Sequence, residues 1–281
     1  MEREMIDNMA SHSANDEINK KIDQAFTPRT PIETRQFFAG RMEQIKKIQS
    51  SFDEKGCQIM IYGDRGVGKT SLANIVKEIY TNNNYNVVCT KVNCDPTETF
   101  DSIWRKTFKQ VNFYYQVKNK QNIGFISNSS EVDTEEKISN ISIDKLLKLD
   151  KELTTTDVLD TLSEYFTKQK FLFIFDEFDQ IQNSEIKEKF TYLMKNISDY
   201  GTDITLMIVG IAENIEELIE SHQSVERCLK QINLPRMSEK EIEQIISTGL
   251  SYIGMTMDQN LKSKIFLKVC LNTHIYFVNT V

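Results

Sequence analysis

Apolar residues follow two alternating patterns along this chain. In four short runs most positions are apolar, which is typical of strands buried on both faces of a sheet; these runs cover residues 57–62, 86–92, 171–175 and 204–210. A fifth run, residues 229–234, is predicted to be an edge strand. Between the runs, apolar residues recur at helical spacing, as Ile45, Ile48 and Phe52 do. Strands that alternate with helices predict an α/β protein whose mostly parallel sheet is covered by helices on both sides.

Some of the predicted helices carry boundary signals of their own. Gly56 ends the first amphipathic helix, and Thr156 is predicted to cap a helix that begins at Asp157. Ser238 and Glu241 have the spacing of a capping box that opens a later helix. The other helical segments, predicted from spacing, are residues 69–80, about 100–108, 184–198, 213–221 and 259–270.

Changes in composition divide the chain into three parts. Residues 1–30 are polar and predict a flexible leader, closed off by two prolines. Residues 31–235 contain all the predicted strands and form the predicted core domain, interrupted at 112–153 by an insertion of uncertain structure rich in Asn, Ser and Lys. From 236 to 281 the pattern is purely helical, so we expect a small helical domain there.

The overall charge and the cysteines limit the classes of function. Forty-one acidic side chains against 34 basic ones give a net charge of −7, which argues against a surface built to coat nucleic acid or anionic lipid. The five cysteines are scattered without a CxxC pair, so they indicate neither a zinc site nor a disulfide framework. The polar N-terminal segment and the lack of a long apolar run predict a cytoplasmic protein without a membrane span.

One loop has the residue types that a phosphate group requires. The segment after the first predicted strand fits GxxxxGK[ST] and continues directly into a predicted helix; it comprises Gly63, Asp64, Arg65, Gly66, Val67, Gly68, Lys69 and Thr70, followed by Ser71. Glycines let successive backbone N–H groups converge on phosphate oxygens, and the helix directs its positive end at them. Lys69 adds a charge for the β- and γ-phosphates, and the Thr70 hydroxyl is a Mg²⁺ ligand candidate.

A second motif lies about 100 residues further on. The apolar run that starts at Phe171 ends in two adjacent carboxylates, Asp176 and Glu177. Because adjacent residues of a strand point to opposite sides, the two acids can have different roles. Asp176 is predicted to hold Mg²⁺, and Glu177 to polarise the attacking water. GTP is disfavoured because no [NT]KxD motif follows.

These motifs together carry a family resemblance. Residues 37–45 resemble the opening motif of AAA+ and STAND-type ATPases, and with the phosphate loop and the acidic pair the chain is similar to bacterial proteins with an origin-recognition-complex/Cdc6-like ATPase domain. The resemblance implies a three-layer P-loop NTPase core of the ASCE class, with a parallel five-stranded sheet of order 5-1-4-3-2, followed by a helical lid. It also implies that Phe38, Gly40 and Arg41 pack near the adenine of ATP.

The resemblance also implies residues that respond to the γ-phosphate. Asn214, after the fourth strand, is the candidate that senses this phosphate. Arg227 is the candidate offered across a subunit interface, with Arg236 as second choice, which implies a homo-oligomer. The helical segment departs from the family pattern because no arginine follows Arg236. Because the chain ends within this segment, we expect either a truncated product or an effector on a separate polypeptide.

The sequence therefore predicts a slow, Mg²⁺-dependent ATPase that acts as a conformational switch. Two alternatives remain open. One is a DNA-associated ATPase, for which the candidate contacts are Lys106, Lys109, Lys118 and Lys120, with Tyr114 and Tyr115 as stacking partners. The other is an interaction module that binds ATP and never turns it over.

Overall fold

The computed structural model describes residues 16–27, 30–82, 86–123, 151–165, 169–212, 223–258 and 264. Contacts divide these residues into two compact units. One unit is Gln44–Leu234, and the other contains the described residues up to Glu43 and from Pro235 onward. In the described part of the chain, no helix is both long enough and apolar enough to cross a membrane.

The unit Gln44–Leu234 is built on a parallel sheet of five strands. They are β1 (Gln58–Gly63), β2 (Val87–Asn93), β3 (Lys170–Asp176), β4 (Ile204–Ile211) and β5 (Leu229–Asn233). Their order is β2-β3-β4-β1-β5, and each neighbouring pair is parallel. Read from the other edge this is 5-1-4-3-2, so the predicted fold class and strand order are confirmed.

Helices fill the connections between these parallel strands, as crossover connections require. We number the helices along the chain, with α1 over residues 16–25 of the other unit. They continue as α2 (Met42–Asp53), α3 (Lys69–Asn82), α4 (Phe100–Ile123), α5 (Thr155–Tyr165), α6 (Ser184–Asp199) and α7 (Gln223–Glu226). The helices predicted at 213–221 and 259–270 lie outside the described residues, apart from residue 264.

Two boundaries differ from their predictions. Helix α4 continues to Ile123, twelve residues into the segment that composition marked as an insertion. The cap predicted at Thr156 is wrong, because α5 begins at Thr155, two residues earlier than predicted. The Thr154 hydroxyl accepts a hydrogen bond from the Asp157 N–H (3.2 Å), and the Asp157 carboxylate accepts one from the Thr154 N–H (2.9 Å). This reciprocal pair satisfies two N–H groups at the helix start, which Thr156, already inside the helix, cannot do.

The main core lies between the sheet and helices α4, α5 and α6. Its centre is an aromatic cluster in which Trp104 is fully buried. The Trp104 ring centroid lies 5.5 Å from that of Phe175, 5.8 Å from Phe173 and 6.1 Å from Phe190. Because Phe175 immediately precedes Asp176, this packing fixes the end of β3 where the acidic pair begins.

The second unit is helical in its described residues. It contains α1, a short 3-10 helix (Arg35–Phe37) and α8 (Glu239–Ile253). Ser238 and Glu241 form the predicted capping box at the start of α8, which is therefore confirmed. Burial raises the pKa of Glu241, but hydrogen bonds from Ser238 and the charge of Arg41 outweigh it, so the pKa is lowered overall.

Candidate phosphate and magnesium site

The phosphate loop connects the end of β1 to the start of α3. β1 ends at Gly63 and α3 begins at Lys69, so the intervening residues form the loop that the motif predicts. Gly66 and Gly68 have φ angles of +82° and +94°, although a β-carbon at either would meet nothing within 4 Å. Glycine is therefore needed here for backbone conformation and not for space. The first N–H groups of α3 face this loop and form an anion-binding helix end.

Lys69 lies across the loop that it follows. Its ammonium donates to the carbonyl oxygens of Gly63 (2.8 Å) and Asp64 (2.7 Å), and the residue is buried. Burial lowers the pKa of Lys69, while the charges of Asp179, Asp176 and Asp64 favour the ammonium. The loop carbonyls thus hold the positive charge beside the backbone amides in the nucleotide-free protein.

Thr70 and Asp176 supply oxygen atoms that suit a magnesium ion. The Thr70 hydroxyl lies 3.4 Å from Oδ1 of Asp176, which also accepts the Glu177 N–H at 3.0 Å. The Asp176 side chain is almost fully buried, and its Oδ2 accepts no well-aligned hydrogen bond. The Asp176 Oδ2 lies 2.9 Å from the Lys91 ammonium, so both carboxylate oxygens are in polar contact. A hydroxyl and a carboxylate nevertheless fit Mg²⁺, which takes oxygen ligands and commonly only one or two from the protein.

Glu177 is exposed whereas Asp176 is buried, but the reason differs from the predicted one. β3 ends at Asp176, so the two acids do not alternate along one strand. Glu177 instead has φ 57° and ψ 34°, in the left-handed region, and is exposed. A residue other than glycine adopts this conformation at some cost, and such residues are concentrated at functional sites.

Asp179 is a site residue that the sequence pattern did not single out. It lies in a 3-10 helix (Phe178–Gln180), and its Oδ1 accepts the backbone N–H of Ile211 at 2.8 Å. Ile211 ends β4, which lies between β3 and β1 in the sheet. Asp179 therefore ties the acidic loop to the strand beside the phosphate loop, and among the three carboxylates its charge has the largest influence on Lys69. The only sequence signal is its position three residues after Asp176.

The predicted adenine contacts lie in the other unit. Phe38 is partly buried, whereas Gly40 and Arg41 are buried. The Arg41 guanidinium donates to the carbonyl oxygen of Pro235, and its Nε lies 3.7 Å from Oε1 of Glu241. Burial lowers the pKa of Arg41, and Glu241 counteracts that shift. These contacts fix Arg41 within its own unit, and its predicted role toward adenine stays a prediction.

The remaining predicted residues are Asn214, Arg227, Arg236 and the candidate DNA contacts. Asn214 lies outside the described residues. Arg227 is exposed in the turn between α7 and β5, and Arg236 is partly buried. Of the candidate DNA contacts, Lys106 is paired with the buried Glu98 and lies 4.0 Å from Asp95, so its charge is largely compensated.

Comparison with known proteins identifies the family of this chain. Residues 38–208, more than half of the chain, match the family model described as "AAA ATPase domain". The chain therefore belongs to the AAA ATPase domain family, and the resemblance that its motifs indicate is confirmed. A search of curated proteins found none that matches this sequence.

Solved structures of similar fold include ATPases and replication proteins. The Walker-type ATPase PABY2304 of Pyrococcus abyssi matches 85% of this chain and 65% of its own, with 15% identity and a TM-score of 0.57. The ORC2 protein of Aeropyrum pernix matches 82% of this chain and 55% of its own, with 16% identity and a TM-score of 0.48. This chain thus spans less than two thirds of either structure. At 15% identity, the likeness to the first of these structures shows the fold alone.

Proposed function

We propose that this chain binds ATP together with Mg²⁺ at the carboxyl ends of β1 and β3 and hydrolyses it slowly. The observation that carries the proposal is the approach of Thr70, from the phosphate loop, to within 3.4 Å of Asp176, from the acidic pair. The two motifs are 106 residues apart in sequence. In an open α/β sheet, ligands bind beyond the carboxyl ends of the strands, where these residues meet.

Each residue has a separate task in this proposal. Backbone amides of the loop and of the start of α3 bind the β- and γ-phosphates, and Lys69 turns its ammonium from the loop carbonyls to the phosphate oxygens. Thr70 and Asp176 hold Mg²⁺, which neutralises charge on the phosphates. Glu177 orients the attacking water and accepts its proton. Asp179 holds the acidic loop in place through Ile211.

Hydrolysis is proposed to serve a switch that acts through self-assembly or through a separate effector polypeptide. Arg227 supports this part because it is exposed in a turn directly before an edge strand. An arginine supplied by a neighbouring subunit stabilises the charge of the transition state and contributes about 10³–10⁵ in rate. Arg227→Ala should then leave ATP binding intact, lower turnover and remove its dependence on protein concentration.

Two substitutions separate binding from turnover. Lys69→Ala should abolish the calorimetric heat of ATP and Mg²⁺, because the buried ammonium is lost; Lys77→Ala, on the same helix, is the matched control and should bind normally. Glu177→Gln should bind ATP like the wild type and lose at least about 100-fold in turnover. Normal hydrolysis by Glu177→Gln would refute the water-activating role. Absence of heat with the wild type would refute the proposed function itself.

A second candidate function is an ATP-binding interaction module without turnover. The observation that favours it is that residues 237–281 contain no arginine, where AAA+ lids are expected to offer one to the nucleotide. A single-turnover assay with enzyme in excess separates the two candidates, since the module retains ATP whereas the enzyme converts it to ADP. Size measurement with a slowly hydrolysed ATP analogue then tests whether triphosphate drives assembly.

A further inference from the structure

A lysine on the edge strand β2 is paired with the proposed magnesium ligand. The Lys91 ammonium lies 2.9 Å from Oδ2 of Asp176, and the two side chains are only 10% and 2% exposed. In the register of β2 and β3, Lys91 is opposite Ile174, and Asn93 is opposite Asp176. Lys91 is therefore a diagonal neighbour of Asp176 on one face of the sheet, within reach of a long side chain.

The backbone of Lys91 is fixed from the outer side of the sheet. The Gln110 side chain, on α4, accepts the Lys91 N–H at 3.1 Å and donates to the Lys91 carbonyl oxygen at 2.8 Å. This amide replaces the neighbouring strand that an edge strand lacks. These hydrogen bonds fix the backbone of Lys91, so the fold determines the contact of its side chain with Asp176.

The two oxygens of the Asp176 carboxylate have different partners. Oδ1 is directed to Thr70 and the Glu177 N–H, whereas Oδ2 faces Lys91. A buried carboxylate is strongly unfavourable without a compensating charge. Lys91 supplies that charge when no metal is present. A divalent cation bound by the same carboxylate would then be close to the ammonium, which repels it.

We propose that Lys91 is a positioning residue that sets the magnesium dependence of nucleotide binding. It compensates the charge of Asp176 and orients its carboxylate in the metal-free protein, and it weakens the advantage that Mg²⁺ gives to ATP. The inference rests on the proposed function for its nucleotide, but it concerns the charge beside Asp176 and not the phosphate loop. ATP affinity should consequently depend less on Mg²⁺ in the wild type than in a variant without this charge.

The test compares Lys91→Met with the wild type and with Lys170→Met. Lys170 begins β3 at the opposite end of the same strand, and its ammonium is paired with the exposed Asp53 at 3.1 Å. The dissociation constant of ATP is measured by calorimetry in EDTA and in saturating Mg²⁺. The ratio of the dissociation constant in EDTA to that in Mg²⁺ should rise about tenfold in Lys91→Met, as loss of one nearby charge predicts. It should stay unchanged in Lys170→Met and in Lys91→Arg, which keeps the charge.

A second readout uses no nucleotide. Melting temperatures in EDTA and in Mg²⁺ alone should be equal for the wild type, whereas Lys91→Met should melt lower in EDTA and recover in Mg²⁺. If Lys91→Met does not fold, the polar variant Lys91→Gln takes its place in both measurements. A ratio within twofold of the wild type, or no recovery in Mg²⁺, overturns the inference. If the wild type binds no ATP, the proposed function fails, and the melting measurement still decides the role of Lys91.

Discussion

Replacing Gly63 by alanine should destabilise the unit Gln44–Leu234 more than the same replacement at Gly201. Gly63 ends β1, and the chain leaving β5 passes directly beside it. The Leu234 N–H donates to the Tyr62 carbonyl oxygen at 2.7 Å. A β-carbon on Gly63 would overlap the Leu234 carbonyl oxygen and lie 3.3 Å from its carbon. Because both are backbone atoms, no side chain can turn away to relieve the overlap.

The expected magnitude has two parts. Gly63 has a φ angle of +148°, a conformation that costs an alanine about 1–3 kcal/mol. Overpacking against fixed atoms typically adds about 1–3 kcal/mol, so the total loss is about 2–6 kcal/mol. Gly201 has a φ angle of +58°, and a β-carbon there would meet nothing within 4 Å. Its replacement therefore carries only the conformational cost, about 1–2 kcal/mol.

The assay is urea unfolding of the nucleotide-free protein, followed by tryptophan fluorescence. Trp104 is the only tryptophan of the chain and is fully buried in this unit, so its emission reports on the unit's own unfolding. The midpoint and slope give the free energy of unfolding, provided that circular dichroism yields the same transition. If Gly63→Ala loses no more stability than Gly201→Ala, the close approach of β5 to the phosphate loop is not a determinant of this fold.

Three further outcomes are expected. Phe190→Ala should lower the free energy of unfolding by about 3–5 kcal/mol, because it empties a fully buried site beside Trp104; a loss below about 1 kcal/mol in the same urea assay would contradict this. Thr154→Ala should cost about 1 kcal/mol, and Thr156→Ala, measured in parallel, should cost less, because Thr154 makes the cap of α5. Burial lowers the pKa of Lys69, so the nucleotide-free folded chain loses this proton more readily than the unfolded chain. The free energy of unfolding of the wild type, relative to that of Lys69→Met, should therefore rise with pH from neutrality through the lowered pKa toward 10.5. A difference between the two urea midpoints that stays constant over this range would argue against this prediction.

Hydrophobic periodicity was sufficient to predict most of the fold. The face of α6 expected to be buried, which includes Ile186, Phe190 and Ile197, is the face that packs on the sheet. The run from Phe171 to Phe175 is fully buried, as expected for a strand covered on both sides. These predictions succeed because burial of apolar surface dominates folding and leaves a direct trace in residue order. Within the first strand, however, Gln58 is also fully buried, and its amide is satisfied by the backbone of Gly56, Ile204 and Leu206.

The phosphate loop and the acidic pair were predictable because their residue types and spacing follow from the chemistry. Asp179 was not, because its partner is the backbone N–H of Ile211, a group that every residue but proline possesses. The extent of α4 was also missed, because the helical periodicity of apolar residues is broken after Val111 and gave no reason to extend the helix to Ile123. Broken periodicity and backbone partners leave little trace in the order of apolar residues.

The electrostatics beside Asp176 depend on strand register, which the sequence leaves open even where the strand order is known. With β2 beside β3, the apolar pattern decides which face of β2 is buried, because a slip by one residue would reverse every side chain. A slip by two residues preserves the pattern, yet it would move Lys91 along the strand by about 7 Å. At that displacement the ammonium could not stay 2.9 Å from Asp176, and the buried carboxylate would lack its compensating charge. The pairing of Lys91 with Asp176 therefore favours one register among those that the apolar residues allow, and it links the stability of the edge strand to the chemistry of the proposed metal ligand.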